Sequence, residues 1–203
     1  MVDMSWSTRE LLLRGFPDPE PEFELPDLAE PAAQDLLALS VEAFTNRLGP
    51  DRQRYFETWM NMARLAGKAL RGYQSARTYL ADYRRDAHEG GVTPYYRAVD
   101  GIEDAISATH RGFLVARRLT AITGRALPQP TDRQAALLNM ARDYVEGADE
   151  WLIEKRMPAG ELFVVAPRAT YIVIASIRLP YKDLAWCITK LHRAVAQIGA
   201  VPD

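Results

Sequence analysis

The chain is poor in the residues that most often carry chemistry. One cysteine, Cys187, stands among 203 residues, so neither an internal disulfide nor a thiolate cluster can form. It sits among apolar residues of an expected helix, which reads as a buried, inert thiol. The histidines are three: His88, His110 and His192. No two are close enough to ligate a metal from one helix. The residues three before them are Arg85, Ser107 and Thr189, not the glutamates of a di-iron bundle. No metal and no cofactor is expected. There is no phosphate-cradling glycine loop, no Gly-x-Ser-x-Gly elbow and no dinucleotide fingerprint, so no catalytic residue is nominated. No apolar run approaches the roughly 20 residues that span a bilayer, and the N-terminus lacks the order of a secretion signal. The expectation is a cytoplasmic protein without membrane contact.

Charge of one sign is also scarce overall: 25 Lys and Arg face 27 Asp and Glu, a net of −2. The balance is uneven along the chain. Residues 1–30 hold eight acids (Asp3, Glu10, Asp18, Glu20, Glu22, Glu24, Asp27, Glu30) and two bases, Arg9 and Arg14; the body is mildly basic. That body lacks the strong excess typical of nucleic-acid binders.

What the sequence does have is helical periodicity. From Asp51 to His88, steps of four and three give Tyr55, Trp59, Met62, Ala66, Ala69, Tyr73, Ala76, Leu80 and Tyr83, one unbroken apolar seam. At 1.5 Å per residue this predicts a helix on the order of 55 Å long. Phe56, Met60, Ala63 and Leu70 widen the apolar face, so more than one neighbour is expected. Gly90-Gly91 closes the helix, and Thr93-Pro94 reads as a cap and first position. The next seam runs Tyr95, Val99, Ile102, Ile106, Thr109, Phe113, Ala116 and Thr120 to Gly124. A short glycine loop between two long seams implies an antiparallel helical hairpin.

Around that pair, Ser7-Thr8-Arg9-Glu10 reads as a capping box for a short helix. Phe16 to Pro31 carries five prolines among acids and reads as an extended arm. Either it ties the first helix across the body or it docks on a neighbouring subunit. Leu37, Val41, Phe44 and Leu48 mark a helix ended by Gly49-Pro50, and Thr131 with Gln134 caps another through Leu138, Ala141 and Val145. Residues 161–177 are rich in β-branched and aromatic residues around Pro167, which predicts a β-hairpin; a buried helix is the rival. Pro180 opens a last helix with seam Leu184, Ile188, Leu191, Val195 and Ile198. The fold class is therefore mainly α: a bundle of about five helices dominated by the long antiparallel hairpin, with a short β-hairpin before the C-terminal helix. Residues 1–30 form a short helix plus acidic arm, and residues 31–203 a single helical-bundle domain.

Candidate functional residues come from surface rows. Arg97, Asp104, Arg111, Arg118 and Arg125 recur every seven residues on the outer row of one long helix; Glu57, Arg64, Arg71 and Arg85 hold the equivalent row of the other. Such rows are ordinarily a solvated face of weak pairs. Read functionally, Arg64, Arg71, Arg97, Arg111 and Arg118 form an interface or phosphate-contacting surface, with acids on the following helix or the arm as counterparts. Trp186 falls on the outer row of the last helix and is an interface candidate. Glu103 and His110, seven apart, can share a helix face and form a polar site.

The windows five to seven residues before the histidines hold Ala81-Asp82-Tyr83, Glu103-Asp104-Ala105 and Ala185-Trp186-Cys187. The layout of long helices resembles the HEPN-type ribonucleases of bacterial toxin and defence systems, whose signature is arginine, four to six residues, then histidine. None of these windows contains arginine, and Arg84 and Arg85 stand too close to His88. The expected function is therefore non-enzymatic: self-association into a homo-oligomer, or binding of a protein partner. The alternative is a nucleic-acid-binding or HEPN-like bundle.

Overall fold

The computed structural model of the chain describes residues 23–28, 50–86, 92–147, 150, 153–154, 165–175 and 177–199. The short N-terminal helix, the helix expected at 31–49 and the Gly90-Gly91 loop lie outside them. The described chain is mainly helical. Its elements are α1 (Pro50–Asp86), α2 (Thr93–Thr123), α3 (Asp132–Glu146), β1 (Val165–Pro167), β2 (Tyr171–Ile174), β3 (Ile177–Pro180) and α4 (Tyr181–Gly199). Among the described residues four helices thus stand where about five were expected, and two expected helices lie outside the described residues.

Helix α1 is continuous over 37 residues, and its seam from Trp59 to Tyr83 is buried. Helix α2 lies antiparallel to it. Going down the pair, Tyr83 meets Tyr95, with ring centroids 5.1 Å apart; Tyr79 meets Arg97, Gly72 meets Gly101 and Lys68 meets Asp104. Large rings fill the diverging end, while small residues (Ala69, Gly72 and Ala76 against Ala98, Gly101 and Ala105) line the middle. Thr93 is not the cap that the sequence suggests. Val92 takes that place without a side-chain hydrogen bond, and Pro94 sits in the first turn. At the other end Gly124 adopts φ +67° and returns its N–H to Thr120 O, as a left-handed helix stop requires. The Thr131–Gln134 capping box starts α3 as expected.

The expected hairpin is a three-stranded antiparallel sheet, order β1-β2-β3. Its register pairs Val165 with Ile174 and Pro167 with Ile172 on one side, and Ile172 with Leu179 and Ile174 with Ile177 on the other. All these side chains point to one buried face. Pro167 lies inside β1 rather than in the turn, which spans residues 168–170. Pro180 does not open the last helix; it ends β3, an edge strand that tolerates a residue without an N–H, and Tyr181 starts α4 directly.

Helix α4 packs on α1 and α2. Trp59 Nε1 donates to Val195 O at 3.1 Å, and His192 Nε2 lies 3.0 Å from Ala66 O. Gly112 gives Leu191 its space; a Cβ there would collide with the Leu191 side chain. Residues 23–28 run extended across α1: Glu24 N–H donates to Ala169 O, Tyr73 hydroxyl to Pro26 O, and Gln74 Nε2 to Leu28 O, while Arg77 pairs with Asp27 at 2.7 Å. The broad apolar face of α1 is thereby occupied within one copy. Ala63 and Leu70 are buried, and Phe56 and Met60 pack against the core. The expectation of more than one neighbour for α1 is met by α2, α4 and residues 23–28, while Tyr96, Leu114 and Ile122 on α2 remain exposed.

Candidate functional site

The outward side of the α1–α2 pair, opposite α4, holds a groove of about 560 Å³. Its floor is the crossing of Gly72 and Gly101. A Cβ on Gly72 would lie 2.7 Å from Gly101 O, and a Cβ on Gly101 would lie 2.7 Å from Gly72 O. A hydrogen therefore stands at each of these positions, aimed at the opposite carbonyl, a weak contact that only glycine allows. The two backbones nearly touch, and the long side chains on either side rise as walls. They are Lys68, Arg71, Ser75 and Tyr79 from α1, and Arg97, Asp100 and Asp104 from α2.

The walls carry three cations and two anions, and they are not equally paired. Lys68 Nζ lies 2.8 Å from Asp104 Oδ1, and both side chains are about half exposed. Arg97 spreads over the Tyr79 ring, 5.4 Å from its centroid, and reaches the Tyr79 hydroxyl at 3.4 Å. Arg71 folds back along α1 toward Gly67. Among the described residues, neither Arg71 nor Arg97 meets a carboxylate, and Asp100 meets no cation. Charged groups without an ion pair among the described residues thus stand at the rim of a preformed cleft.

The other residues singled out in the sequence lie elsewhere. Arg64 is exposed on the same row and bonds Asn61 Oδ1 at 3.0 Å. Arg118 is exposed farther along α2. Arg111 turns toward α3 and pairs with Glu146 at 3.0 Å; Arg142 reaches the same carboxylate at 3.0 Å. Burial works against ionisation of Glu146, but the two guanidiniums outweigh it and hold the carboxyl below its usual range. Part of the acid–base complementarity foreseen between the hairpin and the next helix is thus satisfied within the chain. Trp186 is 38% exposed, and the Lys190 ammonium lies 3.5 Å from its ring centroid.

His110 and Glu103 are not brought together as a pair. His110 is 9% exposed and faces α3. Burial lowers its pKa and Arg142 adds to this, opposed by a hydrogen bond that the ring donates to Asn139 and by Asp143 and Glu146. The groups acting on it come from α3, and Glu103, half-buried on α2, is not among them. The depression beside His110 is small, about 110 Å³. Among the described residues no three His, Cys, Asp or Glu side chains converge to hold a metal, and no helix is long and apolar enough to cross a membrane.

Reading rows helix by helix found Arg71, Arg97 and Asp104 but missed Lys68, Ser75, Tyr79 and Asp100. Which residues share a groove depends on the register of the two helices. The signal that sets it is the pair of glycines, Gly72 and Gly101, one in each seam region. Compared with known proteins, the chain matches no family model, no curated protein and no solved structure.

Proposed function

We propose that the chain is a non-enzymatic binding module that engages a protein partner through the outward face of the α1–α2 pair. The observation that carries this reading is the groove itself, where Arg71, Arg97 and Asp100 have no ion pair among the described residues around a glycine floor. An unpaired guanidinium recognises carboxylates through two parallel hydrogen bonds, and such contacts give an interface its specificity. Of the two forms expected from the sequence, partner binding gains and self-association loses. The broad apolar face of α1, one of the grounds for self-association, packs largely within one copy: Ala63 and Leu70 are buried, and Phe56 and Met60 lie against the core.

A nucleic-acid-binding bundle is less well supported. Asp100 and Asp104 stand among the cations and would repel a phosphate chain. The test is capture from cells that express the protein, with wild type and the Arg71→Ala/Arg97→Ala variant in parallel. A partner that is retained by wild type, reconstitutes as a purified complex and is lost by the variant is the expected result. Purification of a stable homo-oligomer without other protein, or of RNA released steeply by salt, would replace this reading with one of its rivals.

A further inference from the structure

We infer that the seat of residues 23–28 is a peptide-recognition site, and that it takes in trans an extended segment of a partner protein that reads leucine, proline, acid. The chain's own segment is its resident, displaceable occupant. The seat uses Tyr73, Gln74 and Arg77 of α1, none of which lines the groove, so it stands whether or not the groove engages a partner.

The contacts divide into those that any sequence could make and those that read a side chain. Three use the backbone of the segment. Glu24 N–H donates to Ala169 O at 2.7 Å, Pro26 O accepts from the Tyr73 hydroxyl at 3.1 Å, and Leu28 O accepts from Gln74 Nε2 at 3.3 Å. Two read side chains: Leu25 is 7% exposed and joins the core, and Asp27 pairs with Arg77 at 2.7 Å. Between them Pro26 offers a carbonyl and has no N–H to satisfy, and its fixed φ reduces the freedom lost on seating. Main-chain bonds for affinity and alternate side chains for specificity are the marks of a docked peptide. The fit is also incomplete. Asp27 and Leu28 border a cavity of about 350 Å³, with Leu70, Ile188 and His192 among its other walls. The Arg77 and Asp27 side chains are 46% and 76% exposed, so solvent screens that pair. One buried leucine, three hydrogen bonds and a screened pair hold a free peptide with a Kd on the order of 1 mM. Attachment to the same chain supplies an effective concentration on the order of millimolar. The resident therefore closes its own seat by a factor of only about two to ten, which a partner segment held rigid in the same form exceeds.

The experiment titrates a peptide with the sequence of residues 21–30 into the isotope-labelled full-length chain, read by NMR shifts of the Ala169 amide and the Gln74 side chain. Wild type should bind it with an apparent Kd on the order of 1–10 mM. Leu25→Asp in the chain expels the resident, so the same peptide should bind about two- to tenfold tighter. Loss of fold cannot tighten binding, and circular dichroism checks the fold independently. Adding Arg77→Glu to that chain should weaken the peptide about fivefold, and a peptide carrying Asp27→Lys should recover the loss. No binding at about 10 mM peptide overturns the inference. So does a Leu25→Asp chain that binds no tighter than wild type, or an equal effect of Arg77→Glu on the Asp27 and Lys peptides. A wild-type dimer that excess peptide dissolves also overturns it, by making a second copy the occupant.

Discussion

The Gly72–Gly101 crossing makes a prediction whose sign runs against helix propensity. Gly to Ala in a helix interior ordinarily stabilises by about 1 kcal/mol. At Gly72 the new Cβ would meet Gly101 O at 2.7 Å, Ala105 N at 3.0 Å and the Asp104 Cβ at 3.3 Å. The first two are backbone atoms of the facing helix and cannot swing aside, so the helices must separate. Overpacking of this kind costs about 1–3 kcal/mol. Set against the gain in propensity, this leaves Gly72→Ala destabilised by up to about 2 kcal/mol, lowering the melting temperature by as much as a few degrees for a chain of this size. Gly67→Ala is the internal control. Its Cβ meets only the mobile end of Arg71, at 3.1 Å, so the same substitution five residues earlier should be neutral or stabilising. The double variant Gly72→Ala/Gly101→Ala should cost less than the sum of the singles, since one separation relieves both collisions. Urea unfolding followed by circular dichroism measures all four. If Gly72→Ala raises stability as Gly67→Ala does, the close crossing is wrong, and the groove built on it goes too.

Three further predictions follow from burial and backbone geometry. Burial pushes the Cys187 thiol up to about 12, with Asp183 adding to the shift, so a thiol reagent at neutral pH should label it only as fast as the chain unfolds; rapid labelling of native protein would refute its burial. His110 and His192 are both held below their ordinary 6.5, chiefly by burial, so the unfolded chain takes up protons first as pH falls. Stability should therefore be level above about pH 6.5 and decline below it, and His192→Gln should flatten part of that decline in urea midpoints measured across the range. Ala175 turns from β2 to β3 at φ +51°, a left-handed conformation that costs an ordinary residue about 1 kcal/mol. Ala175→Gly should recover part of this as a higher urea midpoint, and a lower midpoint would refute the strained turn.

How much of this was legible in the sequence depended on how local the cause was. The seam from Trp59 to Tyr83 foretold a long helix because burial on one face needs only periodicity. Gly124 and the Thr131–Gln134 box foretold ends because capping is settled within four residues. The third strand was hidden because Ala175-Ser176 lacks the Asn-Gly or Asp-Gly chemistry that marks a two-residue turn. Pro180 misled for a related reason, since proline serves an edge strand as well as a first turn. In the groove, Arg71 and Arg97 were visible as members of two rows, but their company was not. Asp100 and Tyr79 became part of the same site only through an interhelical register that no single helix encodes. His110 was matched to Glu103 by spacing along one helix, whereas burial turned it toward Arg142 on another.

The hydrogen bond from Glu24 to Ala169 joins an early stretch of chain to a turn made near its end. A ribosome delivers Glu24 long before the turn it bonds, so during synthesis this segment can meet α1 but waits without its anchorage at Ala169. Any product cut short before β1 keeps the contacts with Tyr73, Gln74 and Arg77 and lacks the one at Ala169. A proteolytic clock started on nascent chains should therefore stop for this segment only when the last helix has left the ribosome.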